Sequence, residues 1–201
     1  MIQKEQGGFG DNATITLNAG AKANETVGIE GHYKVTCHDK DGNLKWEESI
    51  PNLVVAAGKQ LLLDTLLKGS SYSVTGPYLG LTSASLTPAA TDVVSTIVPS
   101  SEFTNYTVGG SAVRGTASFA SATSSGTTPS NVTTSTASAI TYTITGAGGT
   151  VYGCFLVTGT GASSSQGNTG GTLYSVGNFA TSKITTAGDT VAVTYSTTAT
   201  S

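Results

Sequence analysis

The sequence predicts a mainly β fold: an antiparallel β-sandwich or jelly-roll-like domain, with one packed α-helix and an extended N-terminal arm. Three observations carry this. Charged residues make up only 10% of the 201 residues and hydrophobic ones 37%, against about a quarter charged in an ordinary globular domain; threonine, serine, glycine and alanine fill the gap. Threonine suits a pleated surface through its branched Cβ, and glycine and serine supply turns. Short alternating runs separated by turn residues recur through the second half, as in a sandwich or jelly roll. Only one stretch, LVVAAGKQLLLDTLLKG, has convincing helical spacing.

The length suits one good-sized β domain, and we divide it into an arm, residues 1–30, and a β-domain, residues 31–201. Residues 1–68 hold 16 of the 21 charged side chains, and residues 105–201 only Arg114, Lys183 and Asp189. The arm is polar and glycine-containing, with one alternating run, Ala13-Thr14-Ile15-Thr16-Leu17. It reads either as a solvated tail or as a segment that orders against a partner through Phe9, Ile15 and Leu17.

Residues 31–50 read as a β-hairpin. GHYKVTCH alternates, Asp41-Gly42 is a turn dipeptide, and NLKWEESI returns. Tyr33, Val35 and Cys37 share one face; His32, Lys34, Thr36 and His38 share the other. Pro51-Asn52 is expected to break the second strand. The helix follows at about 56–68, with Lys68 in its last turn and Gly69 as C-cap. Because it is apolar on more than one side, it is expected to be a core element, with Leu62 and Leu66 buried.

Tyr72–Leu81 reads as a strand interrupted at Gly76-Pro77, and a short helix containing Val93, Val94 and Ile97 is expected after Thr91-Asp92. SEFTNYTVGG is expected to be a loop. The polar β-region, 105–201, then offers SAVRGTASFAS, STASAITYTIT, TVYGCFLVTGT, TLYSVGNFAT and DTVAVTYSTT as strands. Gly146-Ala147-Gly148-Gly149 is expected to join the second and third as a tight hairpin. TSSGTTPSNVTT and GASSSQGNTGG are expected to be long, flexible loops.

Little in this chain points to catalysis. His32 and His38 are the only histidines, and a Ser-His or Cys-His system needs one of them as base. Cys37 and His38 are adjacent on a strand, so their side chains point apart. His32, Cys37 and His38 lack the paired spacing of a zinc site. Asp39, Asp41 and Asn43 superficially resemble a calcium loop, but a hairpin turn accounts for them, and the glycine comes too early for an EF-hand. Glu47 and Glu48 point apart, and Glu102 has no obvious partner for acid–base work. We therefore expect no catalytic residues, no cofactor and no bound metal. Cys37 and Cys154 are expected to be buried free thiols. Trp46, Tyr72, Tyr78, Phe103 and Tyr106 are candidate sugar-stacking aromatics, with core packing the commoner use. With a net charge of -3 and no basic patch, nucleic acid is not an expected partner. No apolar run approaches a membrane span, and MIQKEQGGFGDN lacks the apolar stretch of a signal peptide, so synthesis in a host cytoplasm is expected.

The stretch PNLVVAAGKQLLLDTLLKGSSY, preceded by a tryptophan-bearing hairpin and followed by TVYGCFLVTGT, GGTLYSVGNFAT and DTVAVTYS, resembles a set of small bacteriophage virion structural proteins. Some of these are head decoration, or cement, proteins. The likeness covers about residues 31–201 and leaves the arm outside it. It implies a capsid decoration protein on the virion exterior, binding the major capsid protein as a homo-oligomer, with a trimer favoured. Phe9, Ile15, Leu17 and Trp46 are the expected capsid contacts. The alternative is a receptor- or glycan-binding fibre or spike module, in which the outer loops meet a cell-surface glycan.

Overall fold

A computed structural model of the chain describes residues 28–68, 75–122, 130–132 and 139–200. Strands β1 (Gly28–His38) and β2 (Leu44–Val54) form the expected hairpin. Its alternation sorts the faces as period two requires: Tyr33, Val35 and Cys37 are fully buried while His32 and Lys34 are exposed. Asp39 closes the turn by accepting the Asp41 and Asn43 amides at 2.9 and 2.8 Å. Gly42, at φ +87°, occupies backbone space that favours glycine. β1 starts at Gly28, opposite Thr200, so residues 28–30 belong to the β-domain and not to the arm.

Pro51 does not end β2. The strand pairs with β1 as far as Asn52, and then Leu53 and Val54 pair with Val176 and Ser175 of β10 (Thr172–Thr185). A proline lacks the amide donor that a continued ladder needs, and here it stands where the strand changes partners. β2 therefore turns the corner between the two halves of the sheet.

The remaining strands are β3 (Tyr78–Thr82), β4 (Glu102–Phe103), β5 (Tyr106–Thr107), β6 (Gly115–Thr116), β7 (Ser130–Val132), β8 (Ile140–Ile144), β9 (Gly149–Thr158) and β11 (Thr190–Thr200). All pairings are antiparallel, and the path runs β4-β3-β9-β10-β2-β1-β11-β8-β5, with β6 on β3 and β7 on β11. Its two ends, β4 and β5, are separated in the chain only by Thr104 and Asn105. The sheet thus returns on itself as a nearly closed, flattened barrel. SEFTNYTVGG is the seam of this barrel and not simply a loop.

Three further expectations change. β8 and β9 are not a hairpin: β8 pairs with β11 and β5, and β9 with β10 and β3. The turn containing Gly146 (φ +60°) and Gly148 (φ +73°) instead carries the chain from one half of the sheet to the other. SAVRGTASFAS contributes only β6, because the Arg114 and Ala117 amides bond to the carbonyls of Ser164 and Pro77 at 2.7 and 2.8 Å. GASSSQGNTGG is tied down by the hydrogen bonds described below. Most of TSSGTTPSNVTT lies outside the described residues.

Two apolar layers result. The barrel interior holds Tyr33, Val35, Cys37, Leu79, Leu81, Tyr142, Cys154, Leu156, Val191, Val193 and Tyr195, among others. A second cluster lies outside β9 and β10, where Val55, Phe155, Val157, Leu173 and Val176 meet Val94, Ile97 and Val98. β9 is consequently buried on both faces, which explains the unbroken apolar run VYGCFLV. Val94 and Ile97 belong to the short helix α2 (Val94–Ile97). It starts after Val93, whose amide bonds Thr96 Oγ1 at 3.2 Å; Asp92 instead accepts the Ala89 amide at 2.8 Å.

Helix α1 (Ala56–Leu67) forms where expected; Gly69 lies outside the described residues. It is not a core element. Gly58 is its one buried residue, and Leu63, Leu66 and Leu67 are 60%, 80% and 77% exposed. The leucines follow one another too closely to share a face, so the barrel covers one side of the helix and leaves the rest. The contact depends on Gly58: a Cβ there would lie 2.7 Å from the Tyr174 carbonyl oxygen. Alanine is the better helix former by about 1 kcal/mol, yet Gly58→Ala is expected to lower thermal stability, by about 1–3 kcal/mol. A gain in Tm would show that α1 does not rest on β10.

Candidate functional site

The two histidines lie on the polar face of β1 and the two cysteines in the barrel interior. His32 is exposed and His38 half-buried on the polar face of β1. Cys37 and Cys154 are buried free thiols, as expected. Burial, and next the nearby Asp189 charge, push the Cys37 thiol up to about 11; burial raises Cys154 as well. Neither is a thiolate near neutral pH, the form that acts as nucleophile or metal ligand. Among the described residues, no three His, Cys, Asp or Glu side chains cluster to hold a metal ion.

Glu102, which looked partnerless in sequence, is paired with Arg114. Arg114 is 1% and Glu102 5% exposed. The pair is bidentate, Nε to Oε1 at 2.7 Å and Nη2 to Oε2 at 2.9 Å. The guanidinium also donates to the carbonyls of Asn168 at 2.8 Å and Ser163 at 3.3 Å, and lies 5.2 Å from the centre of the Phe155 ring. The Gly167 amide donates to Glu102 Oε2 at 2.7 Å. With its charge and hydrogen-bonding capacity used internally, the pair joins β4, the approach to β6 and the 159–171 segment; it is not poised for proton transfer. Arg114→Met leaves a buried, unpaired carboxylate and is expected to cost about 3–5 kcal/mol, whereas Arg114→Met with Glu102→Leu should recover most of that loss. Chemical denaturation of the single and double variants checks this, and equal losses would contradict it.

Asp189, 2% exposed, sits at the β10–β11 turn. It accepts Lys45 Nζ at 2.5 Å, the Thr186 amide at 2.8 Å and the Thr186 hydroxyl at 3.1 Å. Desolvation pushes its carboxyl up, but the hydrogen bonds from Lys45 and Thr186 outweigh this and hold it below its ordinary 3.8. Lys183 pairs with Glu48 at 2.7 Å. A carboxylate depressed in the fold stabilises it above the unfolded pKa, and that contribution is lost as pH falls through the folded value. Asp189→Ala is therefore expected to cost about 1–3 kcal/mol at neutral pH. Its Tm deficit should close as the pH falls below 3.8; a deficit unchanged by pH would contradict the ionic role.

The candidate recognition residues among the described residues do not converge. Phe103 and Tyr106 are core residues, 4% and 1% exposed, and cannot stack on a ligand. Trp46 is half-buried, packed edge-on against Phe179 with ring centres 5.7 Å apart, toward the Asp39–Asn43 turn. Tyr78 is half-buried against the outer cluster. Tyr72, Phe9, Ile15 and Leu17 lie outside the described residues.

A coherent surface exists at the opposite end, which we term the α1 pole. Leu63, Leu66 and Leu67 stand out from the body there. Leu62, Pro77, Phe119, Leu156 and Tyr174 line an apolar cavity of about 150 Å³ beneath the helix. Beside it, Ile29, Lys59, Leu62 and Leu63 line a groove of about 170 Å³. The described chain enters the barrel at this pole, through Gly28 opposite Thr200. Sequence reasoning found the helix but assigned its leucines to the core; their spread around the helix was the available signal.

No family model, no curated protein and no solved structure matches the chain. Among the described residues, no helix is long and apolar enough to cross a membrane.

Proposed function

We propose that this chain is a non-catalytic structural protein of the capsid-decoration type, attached to the outside of a bacteriophage particle through its α1 pole. One contrast carries the reading. The buried charges of Glu102, Arg114 and Asp189 are all taken up, the first two by one another and Asp189 by Lys45, whereas a helix bearing leucines 60% to 80% exposed stands at one end. An exposed apolar patch of this kind marks a protein-binding surface. A hydroxyl-rich barrel with its sheet returned on itself suits a rigid body bound by area and multivalency and not by a pocket. The resemblance of residues 31–201 to small virion proteins supplies the expected partner, the major capsid protein, and the expected homotrimer. Burial of Phe103 and Tyr106 weighs against the glycan-binding fibre alternative, since those rings are unavailable for stacking.

Co-sedimentation with undecorated particles tests the reading. The protein should saturate at copy numbers on the scale of the capsid subunits. His32→Ala with His38→Ala should bind like the parent, while Leu66→Gln with Leu67→Gln should weaken binding at least about tenfold, equivalent to 1.4 kcal/mol. Saturation at a few copies per particle would favour the fibre reading, and full binding by the leucine variant would remove the α1 pole from the contact.

A further inference from the structure

Beneath helix α1 lies a cavity whose lining is apolar and held in place from several strands. At Gly58 the helix comes so close to the sheet that an added Cβ would lie 2.7 Å from the Tyr174 carbonyl oxygen. Leu62 follows four residues later and so shares that face of the helix, one turn along. Its side chain lines a cavity of about 150 Å³ together with Pro77, Phe119, Leu156, Thr158, Tyr174 and Thr197.

The walls resist collapse. Leu156 and Thr158 belong to β9, Tyr174 to β10 and Thr197 to β11. β9 and β10 are paired here, Thr158 with Thr172 and Leu156 with Ser175, and Thr197 pairs with Gly31 of β1. Phe119 and Tyr174 each stand edge-on to Tyr195, with ring centres 6.1 and 6.5 Å apart. Residues fixed by ladders and ring contacts relax only partly into a neighbouring space.

The hydroxyls of the lining are turned toward protein partners. Tyr174 Oη lies 3.5 Å from Thr197 Oγ1, and Thr158 Oγ1 donates to the Thr75 carbonyl at 3.4 Å. None of the described residues lining the cavity is charged. A buried water needs several polar partners, whereas carbon-rich walls gain dispersion contacts with any apolar atoms that enter. Leu62, Pro77, Phe119, Tyr174 and Thr197 keep partial exposure, which gives a ligand a way in without unfolding the barrel.

We infer that this cavity is a binding site for one compact, uncharged apolar molecule, of about the size of a benzene ring. The site does not rest on the attachment proposed above, because Leu66 and Leu67 are not among its lining residues.

Benzene titrated into the full-length protein, followed by methyl NMR and thermal denaturation, tests it, with benzoate as a charged ring of similar size. Benzene should give saturable shifts centred on the methyl groups of Leu62, Leu156, Thr158 and Thr197, and should raise Tm, because a ligand that binds only the folded state stabilises it. Benzoate should bind at least about tenfold more weakly, since its charge would lose hydration. Leu62→Phe and Thr197→Leu each place extra carbon in the cavity; each should weaken benzene binding at least about tenfold and keep the parent far-UV spectrum. Leu66→Gln with Leu67→Gln should leave benzene binding unchanged, so loss of particle attachment and loss of this site are separate outcomes. Absence of saturable shifts with benzene, or binding undiminished in both filled variants, would overturn the inference.

Discussion

The Glu102–Arg114 pair is the buried constraint that ties separate stretches of chain together near the seam of the barrel. β4 and β5 are two residues long, and each makes only two pairings with its neighbour. Ladders that short do not hold a sheet closed alone. Glu102 lies on β4, and Arg114 immediately precedes β6, so their bidentate contact fixes the closing segment against the rest of the barrel. The 159–171 segment is fixed by the same two side chains through Ser163, Gly167 and Asn168. A buried ion pair is costly to desolvate and contributes to stability only when its remaining donors and acceptors are satisfied. The pair and its partners span three separated stretches of chain, at residues 102, 114 and 163–168, so it is satisfied only where those stretches meet.

Glu102, Arg114 and Asp189, the buried charges among the described residues, are engaged in structural contacts. Asp189 anchors one turn with Lys45, and Asp39 closes another. Exposed apolar side chains are concentrated on α1, where Leu63, Leu66 and Leu67 stand out. The proposed attachment rests on the exposed leucines of α1.

The parts legible in the sequence were those specified locally. The β1–β2 hairpin followed from alternation and the Asp41-Gly42 turn, β11 from the alternation of Val191, Val193 and Tyr195, and α1 from its spacing. Pairings that depend on distant chain were not legible. Nothing near Glu102 announces Arg114, although an isolated arginine in a stretch nearly free of charge was a signal that it might be engaged internally. The glycines between β8 and β9 look like a hairpin turn because a tight reversal and a crossover between sheet halves need the same positive φ. Pro51 suggested a break because a proline disrupts a ladder, but a strand exchanging partners tolerates it. Burial of α1 was misread because apolar composition does not say how many sides a neighbour covers; Gly58, the point of closest approach, was the informative residue.

The disposition of charge in the second half of the chain has a colloidal consequence. Of Arg114, Lys183 and Asp189, the first and last are buried and the second is engaged with Glu48. The outer surface supplied by the described residues between 105 and 200 is therefore solvated mainly by hydroxyl and amide groups and carries almost no fixed side-chain charge. Such a surface has little ion atmosphere to screen, so crowded copies should neither repel one another at low ionic strength nor salt together as counterions accumulate. Its hydration should vary little with pH and salinity.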